Sequence, residues 1–232
     1  MPKRGKRYRK NLALQPQEPQ SLDDALKTVR GYSQPKFDQS VDLVMHLGID
    51  PTQADQMIRG SVSLPNGIGK SKRVIAFCGE NDVEACKEAG ATEAGGDELV
   101  AKVAGGWMEF DVAVSHPSMM GKVGKLGRVL GPQGKMPSPK SGTVTPEVAK
   151  AVKEYGSGKL EFRNDKSANI HSGVGKLSFD DVKLKENIIA FIDHIRKLKP
   201  SSAKGHFLKS VHISGSMTPS VPLAVTAAGT VE

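Results

Sequence analysis

Pro65-Asn66-Gly67-Ile68-Gly69 and Gly156-Ser157-Gly158 are two glycine-rich breaks, and the chain changes character between them. Residues 68–158 hold 12 basic and 11 acidic groups, a net +1, and are rich in alanine and glycine. Within them Arg73–Phe77 and Phe110–Val114 read as strands. Asp82–Ala89, Glu98–Ala104, Ser118–Leu130 and Pro146–Tyr155 read as helices, the last with Thr145 as N-cap and Pro146 at its first position. Strands alternating with helices imply an α/β layer around a parallel sheet.

The flanks are built differently. Ser21-x-x-Asp24 is a capping-box pattern, followed by Leu22, Ala25, Leu26 and Val29 at helical spacing and closed by Gly31. From Val41 the period becomes two. Val41, Leu43, Met45 and Leu47 share one face, while Asp42, Val44 and His46 share the other, as in a half-buried strand. Past Gly158, strand patterns recur at Lys159–Arg163, Ile170–Leu177 and Phe207–Ile213. Residues 180–199 form a long amphipathic helix with Ile188, Phe191, Ile192, Ile195 and Leu198 in one stripe. The expected architecture is a discontinuous α+β domain, residues 1–67 plus 159–232, with an α/β domain, residues 68–158, inserted at a loop. Gly67, Gly69, Gly156 and Gly158 would form the hinge at the two crossings.

Composition narrows the function. Of 232 residues 38% are hydrophobic, and aromatics are scarce, so the core must be aliphatic. Apolar runs such as Val74–Cys78 and Ile188–Ile192 are far short of the ~20 residues a membrane helix needs. No apolar stretch follows the N-terminal charges, so no secretory signal is expected and the chain is expected in the cytoplasm. Cys78 and Cys86 suit buried free thiols. The net charge is +8, and Lys3, Arg4, Lys6, Arg7, Arg9 and Lys10 fall in the first ten residues without an acid. That density suits a mobile basic arm on phosphates, or else a solubilising tail.

No constellation carries catalysis. Gly69-Lys70-Ser71 resembles the end of a phosphate-binding loop, but Leu64 stands where its first glycine belongs and a strand follows instead of a helix. The six histidines lie in no HExxH pattern, and no Cys/His pair has zinc spacing. Asp180-Asp181 starts a helix, where carboxylates stabilise the dipole. The expectation is no enzyme, no metal and no cofactor. Gly131-Pro132-Gln133-Gly134-Lys135-Met136-Pro137, followed by Pro139, Lys140 and Gly142, reads equally as a phosphate cradle or as a crossover loop.

The run from Val123 through Gly131-Pro132-Gln133-Gly134-Lys135-Met136-Pro137 to Thr145 closely resembles the motif of the large-subunit ribosomal protein L-one family, the stalk proteins, of bacterial type. The resemblance is collinear from about residue 20 to 220. It includes Lys36-Phe37, Leu47–Asp50, Arg59-Gly60, Arg163–Lys166, Ile170-His171, Gly175-Lys176, Lys183–Asn187 and Ala203–Gly205. It implies a Rossmann-like, three-layer inserted domain that binds no dinucleotide. It also implies a monomer on the ribosome that binds the rRNA of the mobile stalk, assists release of deacylated tRNA from the exit site, and represses its own operon mRNA.

The resemblance places RNA contacts in three segments. In the first, Lys36 would meet phosphate, Phe37 pack on a sugar or base, and Ser40 hydrogen-bond a 2′-hydroxyl; without the resemblance Phe37 reads as a core aromatic. The second is Asp165, Lys166, Ser167 and His171. The third is Ser214, Ser216, Met217 and Thr218, where the family usually has Thr-Thr-Met-Gly. Here Gly215 replaces the first Thr, Ser216 the second, and Thr218 stands in place of Gly. Lys3, Arg4, Lys6, Arg7, Lys135 and Lys140 are expected as auxiliary contacts.

Overall fold

The structure is a computed structural model that describes residues 5–53 and 55–225. In chain order its elements are α1 (Lys6–Ala13), α2 (Leu22–Gly31), β1 (Ser40–Leu47), β2 (Arg59–Val62), β3 (Val74–Phe77), α3 (Val83–Glu88), β4 (Glu93–Gly95) and α4 (Asp97–Ala104). There follow β5 (Val112–Ser115), α5 (Met120–Val123), α6 (Gly127–Leu130), α7 (Val148–Gly156), β6 (Leu160–Arg163), β7 (Asn169–Lys176), α8 (Asp181–Lys197), β8 (Leu208–Gly215) and β9 (Val221–Leu223). They gather into two compact units. One takes both ends of the chain, up to Gly69 and from Phe162 onward; the other is Lys70–Glu161.

In the first unit an antiparallel sheet runs in the order β7-β1-β8-β9. β1 is interior, paired with β7 on one side and β8 on the other. Its period-two pattern turns Val41, Leu43, Met45 and Leu47 into the core, each fully buried. Helices α2 and α8 cover that face. Ser21 caps α2, its Oγ accepting from Asp24 N at 3.3 Å, and Leu22, Ala25, Leu26 and Val29 are buried. In α8, Leu184, Ile188, Phe191, Ile192 and Ile195 are buried, with Asp181 in the first turn and Arg196 and Lys197 in the last, as the helix dipole favours. The stripe stops one turn short of expectation. Leu198 is the C-cap and is exposed, because it lies past the last helical residue.

One buried amide fastens this unit. Asn187 is fully buried on α8; its Nδ2 donates to Val174 O at 2.9 Å and to Gly67 O at 2.8 Å, and its Oδ1 accepts from Asn66 N at 3.1 Å. Both donors and an acceptor lone pair are satisfied, as a buried amide requires. The joint at residues 65–67 is thereby held to α8 and to β7. Gly67, Gly69 and Gly158 have φ of 63°, 69° and 111°, whereas Gly156 closes α7 with ordinary helical geometry. At Gly69 a Cβ would also come within 2.8 Å of the Phe179 ring.

In the second unit β3 pairs in parallel with β4 and β5. All four residues of β3 are buried, as a parallel strand covered on both faces should be. Ile75 and Phe77 join a cluster with Leu99, Val103, Phe110, Val123 and Leu130. Val74 and Ala76 join another with Cys78, Cys86, Val148, Val152 and Tyr155. The cysteines are free, and burial pushes the Cys86 thiol up to about 12.

Three expectations need correction. The N-terminal arm is not a mobile tail where the structure describes it, since Lys6–Ala13 is helical and Asn11 is buried against Ser33; Lys3 and Arg4 lie outside the described residues. Ser118–Leu130 is broken into α5 and α6 with tight turns before and between them. Gly121, Gly124 and Gly127 are the reason, because glycine costs about 1 kcal/mol per helix position relative to alanine. Helix α7 begins at Val148, not at Pro146. Thr145 N is held by Ser115 O at 3.2 Å and Val144 bridges Ser115, so the chain stays extended beside β5 through Thr145.

Asn187→Ala should lower the unfolding free energy by about 2–4 kcal/mol, because three backbone groups lose their partner. Urea denaturation measures it, and Asn187→Leu should not recover the loss although it refills the volume. A loss below about 0.5 kcal/mol in both would show that the joint is held by other contacts.

Candidate nucleic-acid interface

With α2 and α8 on one face of the sheet, the alternate residues of β7, β1 and β8 form the other face. Register sets them in rows. Asp42 stands between Gly173 and Ser214, Val44 between His171 and His212, and His46 between Asn169 and Ser210. These positions are partly or fully exposed, and apart from Val44 and Gly173 they carry small polar, imidazole or carboxylate groups. His46 Nδ1 lies 2.8 Å from Asn169 Oδ1. Burial pushes the Asp42 carboxyl up, against the opposing charges of Lys176 and His171. Burial also pushes the His212 imidazole down.

Two of the three sequence segments meet at the Ser40 end of β1. Ser216 N donates to Ser40 O at 3.1 Å, and Ser40 N donates to Ser216 Oγ at 3.2 Å. Lys176 Nζ donates to Ser40 Oγ at 3.1 Å, leaving the Ser40 hydroxyl proton free to donate outward. Phe37 and Met217 flank this point and are each 51% exposed, so neither is a core side chain. Lys36 is exposed beside Phe37. Ser214 is partly exposed on β8.

The remaining segment sits at the far end of β7. Asp165 Oδ1 accepts from Ser167 N at 2.8 Å and Asn169 N at 2.7 Å, and Oδ2 lies 3.5 Å from His171 Nε2. The Asn169 amide is the main reason its carboxyl is held below the usual carboxylate range. Asp165 therefore shapes the turn in which Ala168 takes φ 61°, while Lys166, Ser167 and His171 are exposed around it.

Sequence reasoning missed Gln39. It is buried to 1%, and its Oε1 accepts from Met217 N at 2.7 Å while its backbone O accepts from Leu177 N at 2.8 Å. Its Nε2 donates to Gln34 Oε1. One glutamine thus ties the Phe37 loop, the Met217 turn and the end of β7. The available signal was a glutamine just before an alternating strand, which by itself suggests nothing.

Two expected contacts are placed otherwise. Thr218 is buried to 7%; its Oγ1 accepts from Gly215 N at 2.9 Å, so the side chain closes the turn from inside. Lys135 donates to Phe110 O at 2.6 Å and Met108 O at 3.3 Å, with its ammonium 4.9 Å from the Phe110 ring centroid. The loop it belongs to is held from α7 and from within: Tyr155 donates to Ser141 O at 2.6 Å and Ser138 N to Thr143 Oγ1 at 2.8 Å. Lys140 is exposed on that loop. Lys6 is exposed and Arg7 partly so on α1.

Residues 29–219 match the model of the ribosomal protein L1p/L10e family. The chain therefore belongs to that family, one of ribosomal proteins and not of enzymes. It is 54% identical over 197 residues to a large ribosomal subunit protein uL1 of a Nocardioides species, covering 85% of this chain and 82% of the relative. It is 51% identical over 208 residues to the uL1 protein of Cutibacterium acnes, covering 90% of each. With that of Desulfotalea psychrophila it shares 52% over 223 residues, covering 95% and 94%.

Phe37→Ala and Met217→Ala should leave the melting temperature within about 2 °C of the parent, whereas Phe191→Ala, fully buried on α8, should cost about 3–5 kcal/mol. Gly215 and Thr218 supply a second test. A Cβ on Gly215 would lie 3.1 Å from Thr218 Oγ1 and 3.3 Å from Gln39 Oε1. Gly215→Thr alone should cost about 1–3 kcal/mol by overpacking. Combining it with Thr218→Gly should recover at least half, and strict additivity in denaturant titrations would show that the two positions do not couple.

Proposed function

We propose that this protein is a structural component of the large ribosomal subunit that binds the rRNA of the mobile stalk through the open sheet face of its discontinuous unit. One observation carries the assignment of the face: Ser40 and Ser216 are locked together by backbone and hydroxyl hydrogen bonds, with exposed Phe37 and Met217 on either side. Exposed apolar groups on a polar face have no stabilising role in the free protein, but they suit unstacked bases and sugars. Lys36 and Lys176 supply cations near them, Lys166 adds one at the other end of the sheet, and the Ser40 and Ser214 hydroxyls suit 2′-hydroxyl contacts.

The wider role follows the family. The protein is a ribosome-bound monomer of the cytoplasm that assists release of deacylated exit-site tRNA and represses its own operon mRNA through the same face. The Lys70–Glu161 unit serves as a Rossmann-like inserted domain without dinucleotide, carried on the Gly67, Gly69, Gly156 and Gly158 joints. Exposed Lys140 offers it a cation for tRNA.

Sedimentation of cell extracts should carry the protein with the large subunit until stripping salt is reached. On isolated rRNA, log affinity should fall linearly with log salt, and each of Lys36→Gln and Lys166→Gln should reduce the slope by about 0.7–0.9. Phe37→Ala should weaken binding by about 1–3 kcal/mol and leave the slope unchanged. Equal affinity for stalk rRNA and a random hairpin in the parent protein would overturn the reading.

A further inference from the structure

Helix α1 and the residue Gln15 just beyond it are tied to segments next to the two apolar loops. The fully buried Asn11 donates from Nδ2 to Ser33 O at 3.1 Å and accepts at Oδ1 from Ser33 N at 3.0 Å, just ahead of the Phe37 loop. Beyond the helix, Gln15 Nε2 donates to Ser220 O at 2.8 Å, just after the Met217 turn. Between α1 and that turn lies a cleft of about 550 Å³, lined by Lys6, Arg7 and Tyr8 on one side and Ser216, Met217 and Thr218 on the other.

The lining has a definite chemistry. Lys6 and Arg7 bring positive charge, no acid stands in the first turn of α1, and neither side chain enters an ion pair among the described residues. Tyr8 brings an aromatic ring and Met217 a polarisable thioether, each a surface on which a flat base can lie. The volume falls in the range of pockets that enclose a single organic ligand. A base inside a duplex could not enter it, since its faces are covered by its neighbours. Because Asn11 and Gln15 anchor the helix, the cleft is formed before anything binds, which lowers the cost of ordering on association.

We propose that this cleft takes one unstacked nucleotide of the RNA on the neighbouring sheet face, its base against Tyr8 and Met217 and its phosphate against Lys6 and Arg7. The site rests on the RNA-binding reading above and extends it around the Met217 turn. It makes α1 a part of the recognition surface.

The test uses the full chain and a large-subunit rRNA transcript carrying 4-thiouridine. Irradiation should crosslink a peptide containing Tyr8 or Met217 to one unpaired nucleotide. Tyr8→Ala should weaken binding about tenfold, and Tyr8→Phe should stay within about twofold of the parent, because stacking needs the ring and not the hydroxyl. Should Tyr8→Ala lower the helix content by circular dichroism, the double variant Lys6→Gln with Arg7→Gln decides. It should bind with a salt slope smaller by about 1.4–1.8. If these variants bind as tightly and with the same slope as the parent, while Phe37→Ala binds weakly, the cleft assignment is overturned and the RNA reading stands. If the parent itself does not distinguish the transcript from a random hairpin, both fall.

Discussion

Strand β1 is hydrogen-bonded along both edges by strands that come from the other end of the chain. β7 and β8 are separated from it in sequence by the whole Lys70–Glu161 unit, yet β7 pairs with it over Ser40–His46 and β8 over Val41–Leu47, each with one shift of register. An isolated β1 would expose two rows of backbone donors and acceptors, and its apolar side would have no cover. Everything else in the first unit follows from satisfying that strand. Helices α2 and α8 close over the side where Leu43 and Met45 lie, which leaves the other side open. The same register that pairs the backbones brings residues 40, 173 and 214 into neighbouring rows. The open face is therefore a by-product of core formation and requires no separate folding device.

Neutral amides make the long-range joins of the first unit. Asn11, Gln39 and Asn187 are each at most 1% exposed, and each ties backbone groups from segments distant in sequence. A buried charge in these positions would cost several kcal/mol before any pairing, whereas an amide offers two donors and an acceptor with no net charge. This matters for a surface proposed to meet a polyanion. Gln39 holds the Met217 turn without a charge, and Lys36 stays exposed, where it is available to phosphate.

What could be read from the sequence was whatever is local and periodic. The alternation from Val41 to Leu47 and the stripe through Phe191 and Ile195 announce a half-buried strand and an amphipathic helix because burial acts at fixed spacings. The exposure of Phe37 was not legible from its own neighbourhood, where a core aromatic beside a strand was the simpler expectation; the family resemblance pointed the other way. Gln39 and Asn11 were invisible for a related reason. Their roles consist of partners 178 and 22 residues away, and no local pattern encodes such a partner. The broken helix from Ser118 to Leu130 shows a different limit. Its apolar residues keep helical spacing, but the intervening glycines remove the side chains that would favour continuous helix over tight turns.

The turn at residues 215–218 shows how a departure from a family pattern can preserve geometry. A threonine in place of glycine at 218 looks like added bulk at a surface meant for close approach. In the structure its side chain points inward and caps Gly215 N, and the room for it exists because position 215 has no Cβ. The glycine and the hydroxyl have in effect changed places across the turn. Met217 remains the residue presented to solvent, held from beneath by Gln39. The two substitutions are then one structural change. The exposed residues of the loop are Ser216 and Met217, and the exchange at 215 and 218 leaves both in place.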